Sequence, residues 1–275
     1  MEQKGATPTE APAQPQSPGK PDRRGGGLLS RLPFRPSEDG PSGSFDLLVR
    51  DLRARNSKLD LKDLHRAFAF AETSHRGQKR LSGEDFIEHP VAVAAILADL
   101  GMDPVTLQAA LLHDVGMSIH RTDHEAYSLF LAEPKLRQLL EWVYDEPERT
   151  VVVSEALQAI IGHRRRGEPY TLEAGVVRVA DALDMAQGRS RVPVESGRIG
   201  IHALSAAAID EVVIEAGTDR AVKVEIKMNN SAGIFQADDL LATKLRGTPL
   251  ESHLEVVATI EGETEKRLLR EFRLG

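Results

Sequence analysis

The sequence predicts an α+β protein in which a helical domain precedes a small mixed domain. Between about residues 45 and 200, apolar residues recur with the three-and-four spacing of helices that face a core. Beyond about residue 203 the pattern changes to the alternation of half-buried strands, as in 222–228. We therefore expect a helical domain at 45–200 and a small α+β domain at 201–275.

The first 44 residues have a different composition. They hold eight of the 15 prolines and the run Gly25-Gly26-Gly27, with little apolar periodicity. Such a segment cannot bury enough apolar surface to offset the entropy lost on ordering it. We expect residues 1–44 to be a disordered Pro/Gly-rich tail.

Capping and turn residues delimit the expected elements. Pro90 and Gly101 frame an apolar helix at 91–100, and Asp103 caps a helix that runs to His113. Further helices are expected at 124–132, 134–143, 154–163 and 171–185. The C-terminal part is expected to contain strands at 211–216, 222–228, 254–260 and near 266–274, and a helix at 236–246 that ends before Gly247 and Pro249.

The composition excludes several classes of protein. The 275-residue chain has 35 basic and 42 acidic residues and a net charge of −7, which argues against nucleic acid or an anionic membrane as the main partner. Cysteine is absent, so any metal must bind to His, Asp or Glu. No uncharged apolar run approaches the roughly 20 residues of a membrane span. We expect a cytoplasmic protein that acts on a small substrate.

Histidines and aspartates are therefore the candidate metal ligands. His113 and Asp114 are adjacent at the end of a helix with an apolar face, where burying both is costly without a partner such as a divalent cation. Alone, this pair could equally be a helix-end histidine facing a surface carboxylate. His89 is close enough upstream for two antiparallel helices to bring it beside His113. Asp181 lies in an apolar helix, and we favour it as a ligand over Asp184, which could be the exposed member of the two.

His89, His113-Asp114 and Asp181, taken in this order, resemble the HD-domain metal-dependent phosphohydrolases. The resemblance covers roughly residues 60–190. It implies an all-helical catalytic domain that holds at least one divalent metal, Mn²⁺ or Fe²⁺ by preference, and hydrolyses a nucleotide-like phosphate ester with metal-activated water. It further implies that His113 and Asp114 are catalytic, with Asp114 contacting both metal and water.

Two more histidines bear on the number of metals. In binuclear HD proteins extra histidines occur between the HD pair and the final aspartate, so the resemblance implies that His124 and His163 hold a second metal in the chain. His120 competes with His124, and we favour a surface loop position for it. The expected ligand set is His89, His113, Asp114, His124, His163 and Asp181. The Gly-Tyr-Pro signature of the cyclic-dinucleotide phosphodiesterases is missing.

Residues 77–90 are similar to the start of the hydrolase domain in the stringent-response alarmone synthetase/hydrolases. Arg80 and Ser82 match positions that line the nucleotide pocket of that family, so we expect both to bind substrate. The alarmone hydrolases carry a Glu-Asp pair shortly after the HD pair, and this sequence has Met117-Ser118 there. The pocket wall therefore resembles theirs more closely than the catalytic residues do.

Two arginines follow the helix that contains Asp181. Guanidinium groups suit phosphate oxygens, so we expect Arg189 to act in catalysis and Arg191 to bind substrate, the alternative being a solvated basic turn.

Most of 85–260 also resembles a group of uncharacterised archaeal and bacterial HD phosphohydrolases with the same appended α+β domain. That domain could cover the site or form a homodimer.

We thus predict a metal-dependent phosphohydrolase or phosphodiesterase. Two alternatives stay open at this point. The first is a guanosine alarmone pyrophosphohydrolase. The second is an HD module that keeps its metal for stability and senses a nucleotide without turnover.

Overall fold

The computed structural model of the chain describes residues 41–80, 83–164, 167–185, 205–260 and 271–274. These residues form a helical part followed by a sheet, which confirms the predicted α+β class. The α-helices of the first part are α1 (Pro41–Arg55), α2 (Lys62–Ser74), α3 (Glu88–Asp99), α4 (Pro104–Leu112), α5 (His124–Leu139), α6 (Glu148–Gly162) and α7 (Leu172–Leu183).

The turn between α3 and α4 follows its sequence signals. Gly101 has φ +76°, a left-handed conformation that glycine adopts without strain and that ends α3. Asp103 caps α4, because its Oδ1 accepts hydrogen bonds from the backbone N–H groups of Val105 at 2.8 Å and Thr106 at 3.2 Å. Since α3 begins at Glu88, His89 lies within its first turn.

The helices α1, α5 and α6 differ most from expectation. The expected helices 124–132 and 134–143 form the single helix α5, because Pro134 is exposed and water can hydrogen-bond the carbonyl group that proline leaves unpaired. α6 begins at Glu148, six residues before its expected start. α1 begins at Pro41, so residues 41–44 belong to a helix and not to the expected tail.

The start of α1 is held by packing. Ser44 and Phe45 are buried, and the Phe45 ring stacks on Phe68 of α2 with 4.1 Å between ring centroids. Offset aromatic stacking adds to the apolar area that this contact buries. The apolar packing therefore extends to the first turn of α1.

The centre of the helical part is formed by α3 and α4, whose residues are almost all buried. α3 packs against α1, α4 and α7, and α4 packs against α2 and α6. The short turn between α3 and α4 makes them antiparallel neighbours. The first turn of α3, which contains His89, therefore lies beside the last turn of α4, which precedes His113.

The C-terminal part is a four-stranded sheet in the order β1-β2-β3-β4. β1 pairs antiparallel with β2, β2 parallel with β3, and β3 antiparallel with β4. The strands are β1 (Ile209–Ala216), β2 (Val222–Met228), β3 (Leu254–Ile260) and β4 (Glu271–Leu274). The expected strands 222–228 and 254–260 are thus confirmed. Of the last expected strand, near 266–274, residues 266–270 lie outside the described residues.

A helical segment connects the parallel strands β2 and β3. It has π-helical turns over Gln236–Ala242 and continues as α-helix over Thr243–Leu245, and we call the whole segment α8. It ends before Gly247, which has φ +75°, as the sequence predicts. α8 packs against α7 and so joins the C-terminal part to the helical part. Among the described residues, no helix is long and apolar enough to span a membrane.

Candidate metal centre

Six polar side chains from the helical part come together in one cluster, and Asp114 is one of them. They lie at helix ends, except for Asp181, which lies within α7. Five of the six residues are buried, and His124 has 20% of its side chain exposed. The six are the predicted ligands His89, His113, Asp114, His124, His163 and Asp181.

Asp114 is shared by two possible metal sites. His89, His113 and Asp114 form one group of ligand atoms within 4.8 Å of one another, and Asp114, His124 and His163 form a second. Oδ1 of Asp114 lies 2.9 Å from Nε2 of His124, 3.4 Å from Nε2 of His163 and 3.5 Å from Nε2 of His113. Its Oδ2 lies 3.7 Å from Nε2 of His89. The carboxylate can therefore bridge two neighbouring cations.

Backbone carbonyl groups orient three of the imidazole rings. Nδ1 of each ring lies within hydrogen-bonding distance of the carbonyl oxygen three residues earlier. The pairs are His113 with Ala110 at 2.6 Å, His163 with Ile160 at 2.5 Å, and His124 with Arg121 at 3.0 Å. Donation from Nδ1 leaves the lone pair of a neutral imidazole on Nε2, which is the atom that faces Asp114.

His89 is oriented by a carboxylate. Its Nδ1 lies 2.7 Å from Oδ2 of Asp184, and its Nε2 lies 3.0 Å from Oδ1 of Asp181. The same Oδ2 of Asp184 accepts a hydrogen bond from Nη1 of Arg80 at 2.8 Å. The Asp184 side chain is fully buried, so the expectation that it could be exposed is wrong. It turns inward because it has two partners, His89 and Arg80.

Burial and charge act on the histidines in opposite directions. Burial lowers the pKa of His113 to about 3, which keeps that imidazole neutral at physiological pH. Burial also lowers the pKa of His89 and His124, but hydrogen bonds to aspartates outweigh it and raise both above the usual value of 6.5. Burial raises the pKa of Asp114, but the surrounding histidines hold it well below its usual value. Asp114 is therefore an anion at neutral pH.

The donor set fits a divalent transition metal. Nε2 of His113 is buried and has no hydrogen-bond partner among the described residues, which is costly unless another group satisfies it. Imidazole nitrogens together with carboxylate oxygens suit Mn, Fe, Co or Ni better than Mg. The structure thus brings together a cluster that could hold a metal.

The centre opens onto a cleft at the surface of the helical part. Exposed cations lie at its rim, Phe86 and Met117 supply apolar surface, and metal-site residues supply its floor. The lining residues are Lys79, Arg80, Phe86, His89, Asp114, Met117, Arg121 and His124. Arg80, a predicted substrate contact, lines the cleft while paired with Asp184. The predicted Ser82, Arg189 and Arg191 lie outside the described residues.

Gly116 permits the approach of α5 to the HD pair. A Cβ atom at Gly116 would lie 2.1 Å from the carbonyl oxygen of His124 and 2.4 Å from the backbone nitrogen of Ser128. The Gly116 N–H donates to Oγ of Ser128 at 2.8 Å, which fixes the contact. The glycine two residues after Asp114 therefore lets the first turn of α5 bring His124 onto Asp114. His120, by contrast, is exposed and interacts with the backbone of Thr122.

Lys244 is a residue of the centre that the sequence reasoning missed. It belongs to α8, and its Nζ contacts Oδ2 of Asp181. A signal was present, since Lys244 falls at helical spacing from Ala237 and Leu241, on a face that is otherwise apolar and buried. Arg121 at the cleft rim was missed as well, because its position depends on the path of the loop before α5.

The fold and this centre define a helical domain built around a cluster of histidine and aspartate side chains that could hold a metal. Residues 86–186 match the family model of the HD domain. This match covers part of the chain, and it confirms the resemblance to the HD-domain proteins that was drawn from the sequence.

Several curated proteins are similar to this chain. An uncharacterized protein of Methanocaldococcus jannaschii, MJ1020, is 37% identical over 159 residues, covering 58% of this chain and 61% of that protein. A GTP pyrophosphokinase of Streptomyces antibioticus is 53% identical over 70 residues, covering 24% of this chain and 8% of its own length. The bifunctional (p)ppGpp synthase/hydrolase SpoT of Escherichia coli is 49% identical over 70 residues, 26% of this chain and 10% of its own. The chain therefore spans less than two thirds of these relatives.

Proposed function

We propose that this protein is a metal-dependent phosphohydrolase that acts on a small, nucleotide-like phosphate ester. The observation that carries this proposal is the position of Asp114, which is shared by two ligand groups and lines the cleft. Exposed Lys79 and Arg121 at the cleft rim would attract an anionic substrate.

The ligand geometry suggests how metals are held. His89, His113, Asp114 and Asp181 would hold one ion, and Asp114, His124 and His163 a second. We propose Mn²⁺ or Fe²⁺, because these ions accept mixed imidazole and carboxylate ligands. When bound, such ions supply an acidified water molecule and positive charge that faces the phosphoryl oxygens.

The residues of the chain would then perform the remaining tasks. Lys79 and Arg121 bind phosphate oxygens, and Phe86 offers an apolar surface to the organic part of the substrate. Asp184 keeps His89 in one orientation. Asp114, whose Oδ1 faces three imidazole groups, would help to orient the attacking water molecule. On the sequence alone, we also assign Arg189 to catalysis and Ser82 and Arg191 to substrate binding.

One alternative substrate is favoured by a specific observation. Several relatives that match over about a quarter of the chain are named as (p)ppGpp synthases or hydrolases, which makes guanosine alarmones the second candidate. A nucleotide sensor without turnover is the non-enzymatic alternative.

We further propose a cytoplasmic setting, which the absence of cysteine supports. We also propose that one role of the C-terminal part is to form a homodimer.

A hydrolysis screen tests the proposed function. Purified full-length protein loaded with Mn²⁺, Fe²⁺, Co²⁺ or Mg²⁺ would be incubated with nucleotides and cyclic dinucleotides, beside the Asp114→Ala variant. We expect turnover of at least one phosphate ester with a transition metal and a loss of about 100-fold or more in the variant. Tight metal and nucleotide binding without turnover would favour the sensor.

A further inference from the structure

Lys244 reaches from the C-terminal part of the chain into the HD domain. Its Nζ contacts Oδ2 of Asp181, and the two side chains are 11% and 1% exposed. The other oxygen of the carboxylate, Oδ1, lies 3.0 Å from Nε2 of His89. One oxygen of Asp181 is thus paired with an ammonium group of α8, while the other faces the ligand cluster.

Backbone contacts hold Lys244 in this position. Arg178, which precedes Asp181 by three residues on α7, donates from Nε to the carbonyl oxygen of Lys244 at 2.9 Å. Its Nη1 donates to the carbonyl oxygen of Gly162 at 2.9 Å and contacts that of Arg164. These two carbonyl groups flank His163. One arginine therefore ties α8 to the elements that carry two of the proposed ligands.

The packing around this contact is close. A Cβ atom at Gly175 of α7 would lie 3.4 Å from side-chain atoms of both Thr248 and Pro249, which follow α8. The residues that follow α8 therefore pack directly against α7. A displacement of α8 would move Lys244 relative to Asp181.

The charges of this arrangement have a consequence for metal binding. A divalent cation on Oδ1 of Asp181 would share one carboxylate with the ammonium group on Oδ2. Repulsion between two cations is strong at buried positions, where the effective dielectric constant is low. Binding of a metal and docking of Lys244 therefore oppose each other.

We propose that Lys244 is a resident counter-ion of Asp181, and that the C-terminal part weakens metal binding at the HD domain through it. The inference rests on the proposed metal centre. By thermodynamic linkage the effect is reciprocal, so a bound metal loosens the docking of α8, and a partner that draws α8 away raises metal affinity. The C-terminal part is then a regulator of metal occupancy.

Competition between the full-length protein and a chromophoric chelator for Co²⁺ tests this proposal. We expect Lys244→Met to bind Co²⁺ about 10-fold more tightly than the wild type, and Lys244→Arg, which keeps the charge, to stay close to the wild type. The matched control is Lys227→Met, which removes a lysine paired with Glu211 at 2.6 Å on the sheet. Unchanged or weaker Co²⁺ binding by Lys244→Met would overturn the proposal.

Hydrogen exchange of the wild-type protein tests the reciprocal effect without any substitution. Saturating Co²⁺ should speed exchange of the backbone amides of Thr243–Leu245 relative to those of β1. Slower exchange at these amides would contradict the proposed opposition. If the wild-type protein binds no Co²⁺, both the proposed metal centre and this inference are wrong. If Co²⁺ binding is lost in Asp114→Ala but unchanged in Lys244→Met, only the inference is wrong.

Discussion

Asp184 holds His89 by a hydrogen bond of 2.7 Å between Oδ2 and Nδ1, and the same oxygen accepts from Arg80 at 2.8 Å. A carboxylate behind a ligating histidine fixes the tautomer of the ring and makes its other nitrogen a better donor. Asp184 is therefore placed to affect a bound metal through His89, without contacting the metal itself. Its interaction with Arg80 also connects the wall of the cleft to the ligand cluster.

Replacing Asp184 by asparagine should weaken metal binding. The neutral amide accepts weaker hydrogen bonds from His89 and Arg80 than the carboxylate does, so we expect metal affinity to fall by about 10- to 100-fold. The measurement is a Co²⁺ titration, with a thermal melt to confirm folding. Asp63→Asn is the control, because Asp63 pairs with Arg66 at 2.9 Å on α2. Equal affinities in the two variants would show that His89 is oriented by other contacts.

The number of metals per chain should depend on His124 and His163. These histidines form a ligand group of their own with Asp114, so we expect nearly two metals per wild-type chain. His124→Ala and His163→Ala should each lower the content toward one, and Asp114→Ala should remove most of the metal. Elemental analysis of purified protein gives the count. His120→Ala is the control, and if the His124 and His163 variants match it, both histidines are structural.

Gly116→Ala should disturb the second site. The added Cβ would lie 2.1 Å from the carbonyl oxygen of His124, so the start of α5 must move away from Asp114. We expect a loss of stability of about 1–3 kcal/mol and a metal content like that of His124→Ala. Thermal unfolding and elemental analysis measure the two effects. Ser118→Ala on the same turn is the control, because it removes only a hydrogen bond from Oγ to the carbonyl oxygen of Val115 and adds no atom near α5. Normal metal content in Gly116→Ala would show that α5 can adjust.

Metal binding should release protons near neutral pH. Burial lowers the pKa of His89 and His124, but hydrogen bonds to aspartates outweigh it and raise both above 6.5, so the metal-free protein retains protons that a metal must displace. His113, with a pKa of about 3, has no such proton to lose. Metal affinity should therefore increase as pH rises through the raised pKa values.

The stability of the metal-free protein should change with pH in the opposite sense. The contribution of a raised histidine pKa to stability is fully present below the unfolded value of 6.5 and is lost as pH rises through the folded value.

The protons released on metal binding are measured by calorimetric titration of the metal at pH 7 in two buffers of different ionisation enthalpy. His124→Ala should release fewer protons than the wild type. A wild-type value of zero would contradict the assigned protonation states.

The sequence identified the residues of the cluster because their types are costly to bury. His113-Asp114 beside an apolar helix face and Asp181 within one stand out for this reason, and the structure brings them together. Asp184 was misjudged because only its partners, His89 and Arg80, explain its burial. The helical spacing of Lys244 indicates that it is buried, but its contact with Asp181 depends on the packing of α8 on α7, which the local sequence does not specify. The expectation of two helices at 124–132 and 134–143 was wrong because Pro134 is exposed within α5, and that exposure depends on tertiary structure.

The last prediction is that this protein hydrolyses guanosine alarmones poorly. The alarmone hydrolases have an acidic pair shortly after the HD pair. Here Met117 occupies that region and lines the cleft, and Ser118 is exposed. Neither side chain can act as a general base at neutral pH, and a positioned acid or base contributes about 10²- to 10⁴-fold to a rate. We expect Mn²⁺-dependent release of pyrophosphate from alarmone at least about 100-fold slower than turnover of the best phosphodiester substrate.

A double substitution makes this prediction sharper. Met117→Glu with Ser118→Asp restores the acidic pair next to an unchanged wall formed by Arg80 and Phe86, so alarmone hydrolysis should rise in this variant. The double amide variant, Met117→Gln with Ser118→Asn, controls for size, since it adds similar volume without a base. A neighbouring acid, Glu125, has Oε2 3.6 Å from Nδ1 of His124 and could supply the base after a loop movement. Wild-type alarmone hydrolysis as fast as that of the best phosphodiester would show that it does so, and would make alarmone hydrolysis the function of this site.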